Sequence, residues 1–154
     1  MIQLNEHFRC VPDIIAFSNY HIYEGKLKPL RYPNPRGLLK PALVPVFIEK
    51  GYQNTNNKVN EPEARAVVEK LVECLKDPKY QKRPDGRLCT FGIISLLAED
   101  QAKYIERLIR DLVAKGSITE QEIEERRIEC GDAYKFQGDE RDVMLLSMVR
   151  SLDP

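Results

Sequence analysis

The run from Val143 to Val149, apolar except for Ser147, constrains this chain more than any other stretch. Seven residues of that kind suit a strand buried on both faces, as in the interior of a parallel sheet. Directly before it stands Phe136-Gln137-Gly138-Asp139-Glu140-Arg141-Asp142, a glycine set in a dense polar cluster. Polar groups crowded against a core element need partners, and a ligand is one such partner. The plain alternative is a loop that merely caps the strand, with Glu140 and Asp142 paired to Arg141 or Lys135.

The remaining segments supply elements for that strand to pack with. Pro12 and Asp13 suit the first turn of a helix whose apolar residues are Ile14, Ile15 and Phe17. Lys28 to Pro41 carries four prolines and reads as an extended connection. Leu43 to Ile48 reads as a short strand, placed at an edge or broken early because Pro45 cannot donate to a ladder. Asn60 caps the next helix, with Pro62 in its first turn and Glu63 three residues on. Ala64, Val67, Val68, Leu71 and Leu75 give that helix one apolar face. Leu88 to Leu97 holds a buried strand centred on Phe91, Ile93 and Ile94. Ala98, Ala102, Ile105, Leu108, Ile109 and Leu112 then form a helical stripe. Glu120 to Arg126 is a short charged helix, and a closing strand–loop–strand ends in the opening run. Alternating strands and helices with crossovers of this length predict parallel strands.

Composition narrows the function. With 154 residues the chain is one domain's worth, enough for a real core. Lys plus Arg and Asp plus Glu are 24 each, so the net charge is zero. That argues against a bulk electrostatic nucleic-acid binder but leaves room for a local basic groove. No apolar run is long enough to cross a bilayer, so no membrane role is expected. Cys10, Cys74, Cys89 and Cys130 are scattered with no Cys-x-x-Cys pair. They read as small buried or half-buried thiols of a reducing compartment, not as a metal site. Gly-x-x-x-x-Gly-Lys-Ser/Thr does not occur, so the chain carries no phosphate loop of its own.

Phe136-Gln137-Gly138-x-Glu140-x-Asp142-Val143, followed by apolar residues, Ser147 and Val149-Arg150, resembles motif V of superfamily 1 helicases of the Up-frameshift-like branch. Near the other end, Phe8-Arg9 with Pro12, then Tyr23-x-Gly25-x-Leu27, resembles that family's motif IV segment. His7 and Cys10 stand where many members have Gln and Met. The resemblance runs from Leu4 to Ser151 and is specific at the two ends. It implies an α/β fold, the second, C-terminal RecA-like domain with a mostly parallel sheet and flanking helices, spanning residues 1–154 as a single domain cut from a larger helicase.

The resemblance also implies roles. Phe8 would stack on adenine, and Arg9 would be the catalytic arginine reaching the γ-phosphate. A planar guanidinium suits developing phosphoryl charge. Gln137, Gly138 and Glu140 would approach ribose and phosphates. Ser95 and Gln101 would touch nucleic acid, although Ser95-Leu96-Leu97 lacks the family's proline and aromatic. A hydroxyl at a strand end can bond a phosphate or equally cap the next helix. Asp132 and Tyr134 depart from the family pattern, and a carboxylate at Asp132 repels phosphate. ATP and Mg2+ would be bound jointly with an N-terminal RecA-like domain. Single-stranded nucleic acid would be the other partner, and the setting cytoplasmic. Alone, the chain is expected to be inactive as an ATPase. The competing reading is a non-hydrolysing RecA-like module that contacts proteins. A self-contained nuclease ranks below both, since no carboxylate pair with a nearby lysine stands at suitable spacing.

Overall fold

The computed structural model describes residues 5–31, 41–97 and 99–151. Leu4, Ala98 and the Pro33 and Pro35 portion of the proline-rich connection lie outside them. Two compact units divide the chain, Met1–Val46 and Phe47–Pro154.

In the first unit, β1 (Glu6–His7) and β2 (Lys28–Pro29) form a two-residue parallel ladder with α1 (Pro12–His21) between them. Pro12 opens α1, as its fixed φ favours. Asn19 ties the helix to the returning chain. Its Oδ1 accepts the Leu27 N–H at 2.9 Å and its amide donates to the Leu27 carbonyl at 3.0 Å. Ile14 and Phe17 remain exposed, so α1 buries none of its residues. No strand forms over Leu43–Ile48, where one was expected. Pro45 removes a ladder donor from the middle of that segment.

The second unit is built on three parallel strands in the order β4-β3-β5. They are β3 (Phe91–Ser95), β4 (Glu129–Asp132) and β5 (Val143–Ser147). The mostly parallel α/β architecture agrees with the sequence reading, but the central strand does not. Among the described residues β3 is central, and β5 lies at the border of the sheet with Leu146 half exposed. The apolar run of β5 serves two surfaces of unequal burial. Val143, Leu145 and Ser147 share the face on which Phe91, Ile93 and Ser95 lie, while Met144 and Leu146 point the other way.

Helices cover that first face. In α2 (Glu61–Lys76), Ala64, Val68, Leu71 and Leu75 are buried at helical spacing. In α3 (Glu99–Ala114), Ala102, Ile105 and Ile109 are buried. Both sets join Phe91, Ile93, Ile128 and Cys130 in one core. Truncating a fully buried leucine such as Leu71 to alanine would cost about 2–5 kcal/mol. Between α3 and β4, the short helix α4 (Glu120–Glu125) starts at a reciprocal capping box of Thr119 and Glu122.

The chain from Ala133 to Asp142 leaves the carboxyl end of β4 and returns to the amino end of β5 on the other side of β3. It does so across the second face. Phe136 is buried there against Gly92. A Cβ at Gly92 would stand 2.6 Å from Met144 Sδ and 2.9 Å from Phe136 Cε1, so a side chain has no room.

Candidate functional site

Gln137, Gly138 and Glu140 stand together on the turn that follows Phe136, all exposed. Phe136 anchors the turn in the protein. Gly138 has φ +83° with open space around it, and its left-handed backbone is what lets the chain reverse there. The Gln137 N–H donates to the Tyr134 carbonyl at 3.0 Å, and the Asp139 N–H to that of Phe136 at 3.1 Å.

Charge pairing fixes the exit from this turn. Arg141 has a side chain only 2% exposed and lies over the Phe136 ring. Its guanidinium pairs with Asp139 at 2.6 Å and Glu129 at 2.9 Å. Asp139 also takes two bonds from Arg127, at 3.0 and 3.1 Å. The Arg141 guanidinium, then the Glu140 N–H at 2.8 Å, hold the Asp139 carboxyl down at about 2. Asp142 pairs instead with Arg83 at 2.7 Å and accepts the N–H and hydroxyl of Thr90, both at 2.8 Å. Asp142 thus does not pair with Arg141 or Lys135, as the capping alternative expected, but with Arg83. Asp139 and Glu129 neutralise Arg141.

A second polar system lies at the other end of β5. Gln101 is fully buried on α3. Its Oε1 accepts the Asn60 N–H at 2.8 Å, and its amide donates to the Asn60 carbonyl at 3.2 Å and to Ser147 Oγ at 3.0 Å. The Asn60 side chain caps α2 by accepting the Glu63 N–H at 3.1 Å, and it donates to the Val149 carbonyl at 3.1 Å. Glu63 accepts the N–H groups of Met148 at 2.7 Å and Val149 at 2.9 Å. Val149 is fully buried with φ +67°, and the Arg150 N–H bonds back to the Met148 carbonyl at 2.8 Å. That is the rarer, positive-φ γ-turn, strained for a β-branched residue and sustained here by three surrounding hydrogen bonds, two to Glu63 and one from Asn60.

This arrangement corrects one expectation. The Gln101 amide is spent on the chain's own backbone and on Ser147, so it joins α2, α3 and β5 and does not face a nucleic-acid strand. Ser95 ends β3 as expected, but it is buried as well. Asn60 and Glu63 were read only as a helix start. Their reach to Val149 spans 89 and 86 positions, which spacing along the chain does not reveal.

Phe8 and Arg9 belong to the first unit. The Phe8 ring is 65% exposed. Arg9 is exposed too, and its carbonyl accepts the Arg31 guanidinium. Among the described residues no group of three His, Cys, Asp or Glu side chains could hold a metal ion. Cys74, Cys89 and Cys130 are buried free thiols, and burial pushes Cys130 up to about 12. No described helix is long and apolar enough to cross a membrane.

Parallel strands, covering helices and a polar turn presented beside the sheet define an α/β domain of the RecA-like, AAA type. The family model of the AAA domain matches residues 1–154, and the chain belongs to that family, a domain found in the C-terminal part of Up-frameshift-like superfamily 1 helicases. No curated protein matches the chain.

Proposed function

We propose that this chain is the second RecA-like half of an ATP-driven helicase or translocase of the Up-frameshift-like branch. Its part is to complete a nucleotide cleft whose phosphate loop lies on an N-terminal RecA-like domain. The observation that carries this reading is the Gln137-Gly138-Glu140 turn, held outward by buried Phe136 and by Arg141. A turn fixed by its own supports can meet a ligand without being reordered, which favours binding. Phe8, an exposed ring, can stack on a base, and Arg9 can supply charge to a γ-phosphate. Mg2+ would come with ATP, held by the phosphates and the phosphate-loop domain, and would neutralise charge at the transferred phosphoryl. Single-stranded nucleic acid is the natural track for such a motor.

The test is ATP turnover. In a protein containing both halves, Arg9→Ala should lower kcat by about 10³-fold or more with nucleotide affinity little changed. Glu140→Ala should weaken affinity more than kcat. The 154-residue chain alone should show no turnover. Steady turnover by that chain, abolished by Arg9→Ala, would overturn the reading.

A protein-binding module is the second reading, and one observation favours it. Tyr134 is 84% exposed, with Leu96 and Leu97 also at the surface. A chain that binds no nucleotide even when joined to a phosphate-loop domain would make it the better account.

A further inference from the structure

Phe8 and Arg9 lie on the link from β1 to α1. Backbone pairing stops at His7, whose carbonyl accepts the Leu30 N–H at 2.7 Å. It resumes at Val11, whose carbonyl accepts the Ile14 N–H at 3.1 Å. Between these points a side chain closes the turn. His7 Nε2 accepts the Cys10 N–H at 3.0 Å, so the ring spans Phe8 and Arg9 and fastens the two ends of their turn together. The Arg31 guanidinium, just past β2, adds a bond to the Arg9 carbonyl. Val11 stands at the N-cap of α1 and makes no side-chain capping bond. The tie between strand and helix therefore falls to the imidazole.

A ring nitrogen accepts an N–H only while it keeps its lone pair. His7 is thus neutral in this turn, with its hydrogen on Nδ1. A proton on Nε2 would convert the acceptor into a donor, and two N–H groups would then face each other across the same 3.0 Å. Imidazole is the side chain that takes up a proton between about pH 5 and 8. The surroundings do little to offset that change. Across the ladder His7 stands opposite Pro29, which carries no charge, while Glu6 and Lys28 pair one position earlier and alternate to the other side. At the entry to α1, Cys10 is half-buried and Asp13 is exposed. Arg9 and Arg31, the cations of the same turn, carry the same sign as an imidazolium.

We propose that His7 is a positioning residue for Arg9, and that it makes the turn sensitive to acid. The neutral ring holds the turn that presents Phe8 and Arg9. Proton uptake releases the Cys10 N–H, the turn slackens, and the guanidinium loses its fixed approach. This inference rests on the reading of Arg9 as the residue that supplies charge to a γ-phosphate. The turn itself lies wholly within the first unit.

Two measurements on the wild type, His7→Ala and His7→Gln test it. A glutamine oxygen can take the place of Nε2 as acceptor, but it does not titrate. The first measurement is an amide nitrogen–proton correlation spectrum of the 154-residue chain, followed from about pH 8 down to about pH 5. The Cys10 amide should move with the same midpoint as the His7 ring in the wild type, and stay in place in His7→Gln. The second is ATP turnover by a protein containing both halves. At about pH 8, His7→Ala should lower kcat by up to roughly 10²-fold, the scale of a misplaced group, with KM changed less. His7→Gln should restore most of that rate. Wild-type kcat should fall with acid at the Cys10 midpoint, and His7→Gln should lack that step. In an Arg9→Ala background, His7→Ala should bring no further loss, because it acts through Arg9. A Cys10 amide indifferent to protonation of His7, or coincident profiles for wild type and His7→Gln, would overturn the inference alone. A wild type with no turnover at any pH, in which Cys10 still follows the ring, would overturn the motor reading and with it the part of His7 in turnover.

Discussion

The Glu63 carboxylate accepts the backbone N–H of Val149 at 2.9 Å across 86 positions of sequence, and so holds a buried valine in a left-handed turn. Glu63→Ala should cost about 1.5–3 kcal/mol, the scale of a hydrogen bond to a charged group. Glu63→Gln should recover part of it, since one carbonyl oxygen remains. Urea denaturation of the three proteins checks this. Equal midpoints would show that the turn holds without its carboxylate.

Gln101→Ala leaves the Asn60 N–H without its partner and removes one bond each from the Ser147 hydroxyl and the Asn60 carbonyl, which keeps that of the Ala64 N–H. Buried groups left unsatisfied cost about 1–3 kcal/mol each, so the melting temperature should drop sharply. Oligonucleotide affinity measured well below that temperature should hold. A fall in affinity with no change in melting would mean that Gln101 touches the strand directly.

Gly92→Val should destabilise the second unit by about 1–3 kcal/mol, because the added carbons meet Met144 and Phe136. Met144→Ala in the same chain should return part of that loss, since it clears the nearer obstacle. Additive losses in this double-mutant cycle would place the two residues out of contact.

Asp139 predicts an acid response. Its folded value of about 2 lies below the ordinary 3.8, so its stabilisation is complete above the ordinary value and is lost as pH falls through about 2. Asp139→Asn should therefore lower the melting temperature at neutral pH. It should also flatten the fall in melting temperature between pH 3.8 and about 2 relative to the wild type. Parallel curves for the two proteins would remove Asp139 from the acid response.

The helices and the inner strand could be read in advance because each carries its own signal. Asn60 at the start of α2, the apolar stripe of α3 and the Phe91–Ser95 run announce themselves locally. The place of β5 does not. Its apolar run serves equally a strand flanked on both sides and one at a border, half sheltered by a crossing loop. Leu43–Ile48 shows the converse, strand-like residues that pair with nothing among the described residues. At the candidate site, the outward turn at Gln137 and Gly138 followed from a glycine among polar residues. The partners of Asp142 and Gln101 lie 59, 52, 46 and 41 positions away, and no local pattern encodes those distances.

Glu63 does more than shape one turn. Along β5, Val143 directs its N–H inward to Thr90, so by alternation Met144, Leu146 and Met148 direct theirs outward. The Glu63 carboxylate occupies the last of these donors. Among the described residues, what remains on the outer rim is a pair of donors that ends at a negative charge. So short a rim is a poor template for an incoming extended chain. The carboxylate that bends the backbone toward Arg150 thus also closes the row of outward donors along β5.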